Sequence, residues 1–313
     1  MSPLHRTIRV LWLLVFGLAA AFFIWRHSID LWSHIRRPLY FSPDAITALV
    51  ALQFLFWGIL AYSWKRLLFS VGISDTPLSV CYWQQMLLLL GKYVPGKVWG
   101  VLARGGEMAR RGNRFVNVAA ATYLEQLLLL HSGLVTAAML LLFLFPVPWA
   151  VALCAVAVIS IPLAAHWLGK SVQLLAHWAH KLGKVEPTPH DLNIPAGRYL
   201  SLLAGYGSLW LVSGLIFAAL FLITINEQFT FELLLALMLS NVVGIAAGFV
   251  ALFAPGGIGV REGVMIGLLL PYMPVEQAML AAIVARLWQL VTDVLGGLLG
   301  LWLARQKRES TGQ

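Results

Sequence analysis

Charged side chains are scarce in this chain. They make up 11% of its 313 residues, whereas soluble globular domains carry about 25%. Hydrophobic residues make up 60%, and the mean hydropathy is +0.82. The apolar runs are too long and too numerous for a signal peptide followed by a soluble body. This composition excludes a soluble domain and predicts an integral membrane protein.

Cysteine is almost absent, and both residues, Cys81 and Cys154, stand in apolar segments. Such a pair indicates neither a disulfide framework nor a metal site. The alternating segments of about ten residues that are typical of membrane barrels are also missing. We therefore expect an all-α polytopic transmembrane helical bundle, without a bound metal or cofactor.

A catalytic set is missing too. The sequence contains no HExxH motif, no phosphate-binding GxxxxGK[ST] motif and no zinc-ligand spacing. His177 and His180 stand three residues apart, but no carboxylate or cysteine joins them, which favours an interfacial position over a metal site. His131 is interpreted as a hydrogen-bonded interior histidine. The sequence therefore does not indicate an enzyme.

Long apolar runs predict about seven to eight membrane spans. A helix rises 1.5 Å per residue, so each long run crosses a hydrocarbon core of about 30 Å. Two shorter apolar pieces, 78–91 and 258–270, stand beside Pro–Gly breaks and are predicted to be interrupted or re-entrant half-helices. The full-length candidates are 8–25, 45–64, 116–145, 149–168, 199–225, 232–254 and 277–304.

Basic residues predict the orientation. The chain has 22 Lys and Arg against 13 Asp and Glu, a net charge of +9. Most of the basic residues fall on alternate connections, among them Arg104 in the segment 78–115. The positive-inside rule places this side, and both termini, in the cytoplasm. The charge therefore needs no nucleic-acid partner, and 78–115 is expected to enter and leave the membrane on the cytoplasmic side.

The whole chain, 1–313, is predicted to be a single membrane domain with two cytoplasmic segments outside the spans. Residues 166–198 are expected to form an amphipathic helix in the membrane interface and a loop. Residues 305–313 are polar and are expected to be a disordered tail.

The stretch GKYVPGKVWG, residues 91–100, breaks an apolar run with positive charge. Pro95 suits the first turn of a new helix, where its missing N–H has no cost. Gly96 exposes backbone amides, and Lys97 then stands beside the positive end of a helix dipole. Such a helix start is suited to an anion. The candidate anion-binding residues here are Lys92, Pro95, Gly96 and Lys97.

The stretch FAPGGIGVREGVMIG, residues 253–267, repeats this pattern within a predicted broken helix over 253–271. Its candidate binding residues are Gly256, Gly257, Arg261 and Glu262. Each stretch alone also suits an ordinary loop. Two such breaks, one in each half of the chain and each beside a short helix, favour a transporter binding site built from discontinuous helices.

Ionisable residues inside the spans form a third set of candidates. Glu125 lies in the helix over 116–145, and Arg286 and Asp293 share one face of the helix over 277–304. Such residues usually face the bundle interior or a polar cavity. A Glu125–Arg286 or Asp293–Arg286 ion pair is expected. It either fixes helix register, or Arg286 joins the anion site while Glu125 and Asp293 act in charge coupling.

These residues resemble the hallmarks of the membrane domain of the lysylphosphatidylglycerol synthase/flippase family, over roughly residues 10–304. The matching motifs are GKYVPGKVWG (91–100), the acidic residue of YLEQLLLL (123–130), APGGIGVREG (254–263) and the arginine of VARLWQLVTDVLGG (284–297). The resemblance implies a bacterial inner-membrane bundle that handles lipids, in some members by moving aminoacylated phosphatidylglycerol between leaflets. It also implies that Lys97, Glu125, Arg261, Glu262 and Arg286 contribute to a lipid site.

Bifunctional members of that family add a soluble aminoacyltransferase domain, which does not follow here, so this chain is not expected to make the lysyl-lipid. The first hypothesis is a translocase for an anionic phospholipid or a polyprenyl-phosphate-linked lipid. The alternative is a non-transporting subunit that binds anionic lipid and presents it to a partner glycosyltransferase or aminoacyltransferase. An intramembrane transferase is disfavoured because no acid–base pair stands out.

Overall fold

A computed structural model describes residues 43–74, 76–91, 99–145, 147–181, 194–225, 230–251, 257 and 259–311. Within these ranges the chain is helical and contains no strand. The predicted first span, 8–25, lies outside the described residues. The helices are α1 (Pro43–Ser70), α2 (Leu78–Gly91), α3 (Trp99–Ala109), α4 (Phe115–Leu144), α5 (Pro148–Lys181), α6 (Ala196–Ile225), α7 (Phe231–Val250), α8 (Val260–Leu269) and α9 (Val275–Thr311).

Six of the described helices, namely α1, α4, α5, α6, α7 and α9, are long and apolar enough to cross a membrane. Their outward faces carry exposed Leu, Val, Ile and Phe side chains, as expected of helices solvated by hydrocarbon chains. α7 is the most enclosed, with 56% of its apolar window buried, whereas the window of α5 is only 6% buried. The predicted polytopic helical bundle is confirmed.

Two predicted boundaries are different in the structure. The helix expected to begin at 166 is continuous with the preceding span, as α5, through Lys181, and residues 182–193 lie outside the described ranges. α9 likewise continues to Thr311, through most of the segment 305–313 that we expected to be disordered. Helix propagation adds one hydrogen bond per residue, and the Arg, Gln, Lys and Glu residues there are good helix formers.

α2 and α3 form an antiparallel pair of half-helices. With 14 and 11 residues they reach about 21 Å and 17 Å, short of the roughly 30 Å core. Gly91 and Gly100 let the backbones touch, because a Cβ on Gly91 would lie 2.5 Å from the Gly100 Cα. The end of α2 and the start of α3 are therefore neighbours, and both helices lie on one side of this contact.

α8, with 10 residues, forms a second antiparallel pair with α7. Gly257, which has a φ of +71°, packs directly on Gly248, since a Cβ on Gly257 would lie 2.7 Å from the Gly248 Cα. Met265 then packs over Gly244. α8 therefore begins deep beside the end of α7 and runs back toward the start of that helix.

α6 lies at the centre of the bundle and packs against α1, α4, α5, α7 and α9. α2 packs on α9, where Gly296, Gly297 and Gly300 form a small-residue face for Met86, Leu90 and Trp83. The largest apolar cluster joins the end of α1 and the starts of α4 and α6, beside the basic connections. A second cluster joins α6, α7, α8 and α9 at the opposite end.

Candidate functional site

A cavity lies near the middle of the bundle, where α1, α2, α6, α7, α8 and α9 meet. Its volume is about 90 Å³, and it is partly open to the surroundings. We call it the central cavity. Its polar wall is formed by Gln53, Ser213, Asn241, Arg261, Gln289 and Asp293. Its apolar wall is formed by Phe56, Leu89, Ile216, Leu220, Ile245 and Trp288.

Arg261 is the charged residue that α8 contributes to this cavity. It is the second residue of α8, and it is only 5% exposed. Its guanidinium donates to Gln289 Oε1 and, at 3.5 Å, to Asn241 Oδ1. The Asn241 amide donates in turn to Ser213 Oγ at 2.9 Å. A polar chain therefore crosses the cavity from α9 through α8 and α7 to α6.

Glu262 fixes the start of α8. Its Oε2 accepts the Gly259 backbone N–H at 2.7 Å, which is the backbone half of a capping box. The cap residue Gly259 has a φ of +84°, a conformation that favours glycine. The Glu262 Oε1 accepts from Arg286 Nε at 2.5 Å. Glu262 thus ties α8 to α9, and its charge is matched by Arg286.

Arg261 and Arg286 share one acceptor. Arg286 Nη1 donates to Gln289 Oε1 at 3.4 Å, and this is the same oxygen that accepts from Arg261. Two guanidinium groups therefore converge on a neutral amide oxygen beside the cavity. The start of α8 adds the partial positive charge of a helix N-terminus at the same place. This arrangement is suited to an anion, which would accept hydrogen bonds from both guanidinium groups in place of Gln289 Oε1 or in addition to it.

Asp293 gives the central cavity a negative group. It lies four residues after Gln289 on α9, hence on the same face, and is 5% exposed. The cavity therefore carries one carboxylate as well as the Arg261 guanidinium. A ligand that contacts both Arg261 and Asp293 would carry a negative and a positive group. Hydroxyl groups would also serve, because a hydroxyl can hydrogen-bond to either side chain.

A second charged cluster lies nearer the basic end of the bundle. Arg104 on α3 and Glu125 on α4 form a salt bridge of 2.6 Å, and both side chains are 0% exposed. Polar side chains and an aromatic ring surround the pair. We call the whole set the closed cluster, and it consists of Arg104, Glu125, Gln84, Gln85, Thr122, Tyr206 and Trp64.

The two charged groups of the closed cluster are hydrogen-bonded to neighbouring side chains. Gln85 accepts from Arg104 at 2.9 Å and donates to Glu125 at 2.5 Å, so it bridges the two charges. Tyr206 donates to the same carboxylate at 3.2 Å. The Arg104 guanidinium also stacks 3.8 Å above the centre of the Trp64 ring. None of these residues lines the central cavity, so the cluster joins α1, α2, α3, α4 and α6 without bordering that space.

The expected Glu125–Arg286 pair is wrong. The partner of Glu125 is Arg104, which the sequence analysis had assigned to the cytoplasmic connections. The reason is the close α2–α3 pair, which carries Arg104 inward until it reaches α4. Arg286 pairs with Glu262 instead.

Several predicted site residues lie outside the described residues. These are Lys92, Pro95, Gly96, Lys97 and Gly256. Gly257 is described and packs on α7. Described residues near both Pro–Gly breaks line the central cavity. Leu89 precedes the first break, and Arg261 follows the second.

His131 is a titratable residue with structural partners on two other helices. His131 Nδ1 is hydrogen-bonded to Tyr199 Oη, and its Nε2 lies 2.8 Å from Ser160 Oγ, so it links α4, α5 and α6. In the part of the chain that the structure describes, no three His, Cys, Asp or Glu side chains are grouped to hold a metal ion.

Sequence reasoning missed Arg104, Gln53 and Gln85. A helical period was the available signal for Arg104, because Gly100, Arg104 and Met108 recur every four residues and all three are buried. Gln53 and Gln85 are isolated amides in apolar runs, and only the packing of distant helices gives them partners.

Known proteins were compared with this chain. No curated protein and no solved structure matches it. One family model does match, that of the lysylphosphatidylglycerol synthase TM region, over residues 8–297. This range contains both Pro–Gly stretches, the closed cluster and the whole lining of the central cavity. The resemblance inferred from the motifs is therefore confirmed, and the chain belongs to the family of the lysylphosphatidylglycerol synthase TM region.

Proposed function

We propose that this protein is a lipid translocase. In this proposal the central cavity receives the phosphate-bearing headgroup of an anionic phospholipid or a polyprenyl-phosphate-linked lipid, and the bundle moves it between leaflets. The protein changes the position of the lipid and performs no covalent chemistry on it. Membership of a family of membrane domains related to lipid handling supports the proposal.

The convergence of Arg261 and Arg286 on Gln289 Oε1 is the observation that carries the proposal. A phosphate oxygen is a stronger acceptor for a guanidinium than a neutral amide oxygen, because its hydrogen bonds are charge-assisted. Lys92 and Lys97 follow Leu89 closely in the sequence, so we expect them to add positive charge to the same site.

The two-sided lining of the cavity favours a lipid over a free anion. A soluble phosphate would need the polar wall alone, whereas Phe56, Ile216, Leu220 and Trp288 offer a surface for the first part of an apolar chain. Ligand sites commonly combine such apolar walls with a few placed polar groups.

Two pairs of helices containing short elements, α2–α3 and α7–α8, flank the cavity. Binding sites between discontinuous helices are typical of transporters in which two halves rock about a central site. We propose a bacterial inner-membrane location, as the family implies, and the positive-inside rule predicts that both termini lie in the cytoplasm.

The test uses purified protein in liposomes that contain headgroup-labelled phosphatidylglycerol. We expect the label to exchange between leaflets faster than in empty liposomes. Arg261→Gln keeps much of the side-chain volume but removes the charge, and we expect it to slow exchange by about tenfold or more, the effect of losing one charge-assisted hydrogen bond. Arg261→Lys retains the charge and should keep part of the activity.

Arg110→Gln is the matched control, because this arginine is 70% exposed on the basic side and contacts only a neighbouring glutamate. It should leave the exchange rate unchanged. Lipid bound at a fixed stoichiometry without any exchange would overturn the translocase and support the lipid-presenting subunit. Equal loss in the Arg110 and Arg261 variants would indicate a general surface-charge effect instead of a site.

A further inference from the structure

The central cavity extends to the line along which α1 and α9 meet. In the described ranges both helices pack closely on α6, whereas they meet one another through side chains. Phe56 from α1 and Trp288 from α9 line the cavity on the two sides of this line, and Ile216 and Leu220 of α6 lie behind it. We call this line between the two helices the α1–α9 seam.

A hydrogen bond closes the seam at the level of the cavity. Trp288 Nε1 donates to Gln53 Oε1 at 3.0 Å, between residues 235 positions apart in the chain. Gln53 is a polar side chain, 8% exposed, in an otherwise apolar part of α1. Its described roles are to accept this bond and to line the cavity.

Tight packing closes the seam toward the closed cluster. A Cβ on Gly296 would lie 2.9 Å from the Trp57 ring, so α1 and α9 touch there. Tyr82 from α2 donates to the Gly296 carbonyl at 3.0 Å and fills the same place. The side chains of Trp57, Met86 and Tyr82 packed around Gly296 make this end of the seam hard to open, whereas two side chains close the end beside the cavity.

The outer surface of the seam is apolar and exposed. Phe54, next to Gln53, is 55% exposed, and Leu287 and Val291, beside and one turn from Trp288, are 49% and 51% exposed. Both helices are membrane spans, so these side chains face hydrocarbon. The Gln53 and Trp288 side chains therefore stand between the cavity and the lipid phase.

We propose that the α1–α9 seam is the path of the lipid's apolar chain, and that the Trp288–Gln53 hydrogen bond is its latch. This inference rests on the proposed function. A headgroup on the polar wall leaves its acyl or prenyl chain on the side of Phe56 and Trp288, and the seam leads from there directly into hydrocarbon. The chain then stays in an apolar medium while the headgroup moves through the protein.

The first test crosslinks α1 to α9 across the seam. In the variant Gln53→Cys/Trp288→Cys, a short reducible bifunctional thiol reagent joins the two positions, with Cys81 and Cys154 left in place. Two quantities are measured in liposomes that contain headgroup-labelled phosphatidylglycerol, namely label captured by the protein and label exchanged between leaflets. We expect the crosslink to abolish both, and a reductant to restore both. The single variants, treated with the same reagent, are the controls.

A second pair of variants tests the latch without a crosslink. Trp288→Phe and Gln53→Leu each remove the hydrogen bond and keep an apolar side chain. We expect exchange to become about threefold faster, the change that one hydrogen bond of this kind makes inside membrane proteins. Trp167→Phe, at a tryptophan that is 57% exposed on α5, is the matched control and should have no effect.

The outcomes separate this inference from the proposed function. Exchange that is unaffected by the crosslink overturns the seam and leaves the translocase in place. Capture that the crosslink blocks reversibly, with no exchange in any variant, supports the seam and overturns translocation. Absence of both capture and exchange in the uncrosslinked protein overturns both.

Discussion

Two arginine–glutamate pairs lie inside this bundle, and their surroundings differ. Arg104 and Glu125 in the closed cluster are 0% exposed, and Gln85 and Tyr206 supply further hydrogen bonds. Arg286 and Glu262, behind the central cavity, remain 22% and 17% exposed. The first pair is enclosed by packed helices, whereas the second is next to open space.

The difference separates a structural pair from one that is able to respond to a ligand. A buried charge is costly to desolvate. Removing one partner of a buried ion pair leaves the other charge unpaired, which is far more damaging than replacing both partners. Arg286 shares the Gln289 oxygen with the cavity-lining Arg261, so a bound anion changes its surroundings directly. We therefore expect substitutions in the closed cluster to affect folding, and substitutions around the cavity to affect lipid binding.

Arg104→Leu should have the largest effect on stability. It leaves Glu125 buried without its cation, and breaking a buried pair in this way costs about 3–5 kcal/mol. We expect poor yield and a markedly lower midpoint of thermal unfolding in detergent. The double variant Arg104→Leu/Glu125→Leu removes both charges and should recover much of the loss. A single variant that unfolds at the wild-type temperature would contradict the interpretation of the closed cluster.

Gly257→Ala should be the next most damaging change. The residue has a φ of +71°, and a Cβ there would lie 2.7 Å from the Gly248 backbone. Strain and displacement together should lower the free energy of unfolding by about 1–3 kcal/mol. Gly58→Ala is the control, because nothing lies within 4 Å of a Cβ at that position in α1. Equal behaviour of the two variants would argue against the close approach of α7 and the segment before α8.

Glu262→Gln should separate stability from binding. The neutral side chain weakens the cap of α8 and its bond to Arg286, which should cost about 1 kcal/mol of unfolding free energy. The change also removes the Glu262 carboxylate, which competes with a lipid phosphate for Arg286. The protein should therefore bind labelled phosphatidylglycerol more tightly. Thermal unfolding and lipid capture are measured on the same preparation. Weaker capture at nearly wild-type stability would show that Glu262 itself is needed for the ligand.

Ser213→Ala should give the smallest effect. It removes the oxygen that accepts from Asn241, a loss of about 0.6 kcal/mol for a hydrogen bond inside a membrane protein. Ser208→Ala is a matched control on the same helix, since Ser208 bonds only to the carbonyl of Gly205. We expect a two- to threefold change in lipid capture, from about that free energy, for Ser213 alone. Equal effects would place Ser213 outside the binding site.

The positions of the helices were predictable from hydrophobicity and length. The expected short pieces 78–91 and 258–270 correspond to α2 (Leu78–Gly91) and α8 (Val260–Leu269), because a short apolar run beside a Pro–Gly break has few other solutions in a membrane. The ends of the helices were harder to predict, as at Thr311, because helix propensity and not hydropathy determines where a helix stops.

The partners of the charged residues were not predictable in the same way. Arg104 stands among other basic residues before α4, and its spacing from Gly100 and Met108 indicates a buried helix face. Only the packing of α3 against α2 and α4 identifies Glu125 as its partner. Glu262 and Arg286 were both expected in the anion site, but the capping geometry at Gly259 directs the carboxylate to Arg286. Which charged residues pair depends on how the helices cross, and residue spacing within one helix does not determine how they cross.

The shortness of α2 gives it a mechanical role. Gln84 and Gln85 anchor it to Arg104 and Trp64, while Leu89, about one turn further on, forms part of the cavity wall, and Leu90 presses on Gly297 of α9. This turn connects the buried Arg104–Glu125 pair to the wall of the central cavity. If the protein moves lipid as we propose, α2 would stay in place at that anchor while the opposite half of the bundle shifts around it.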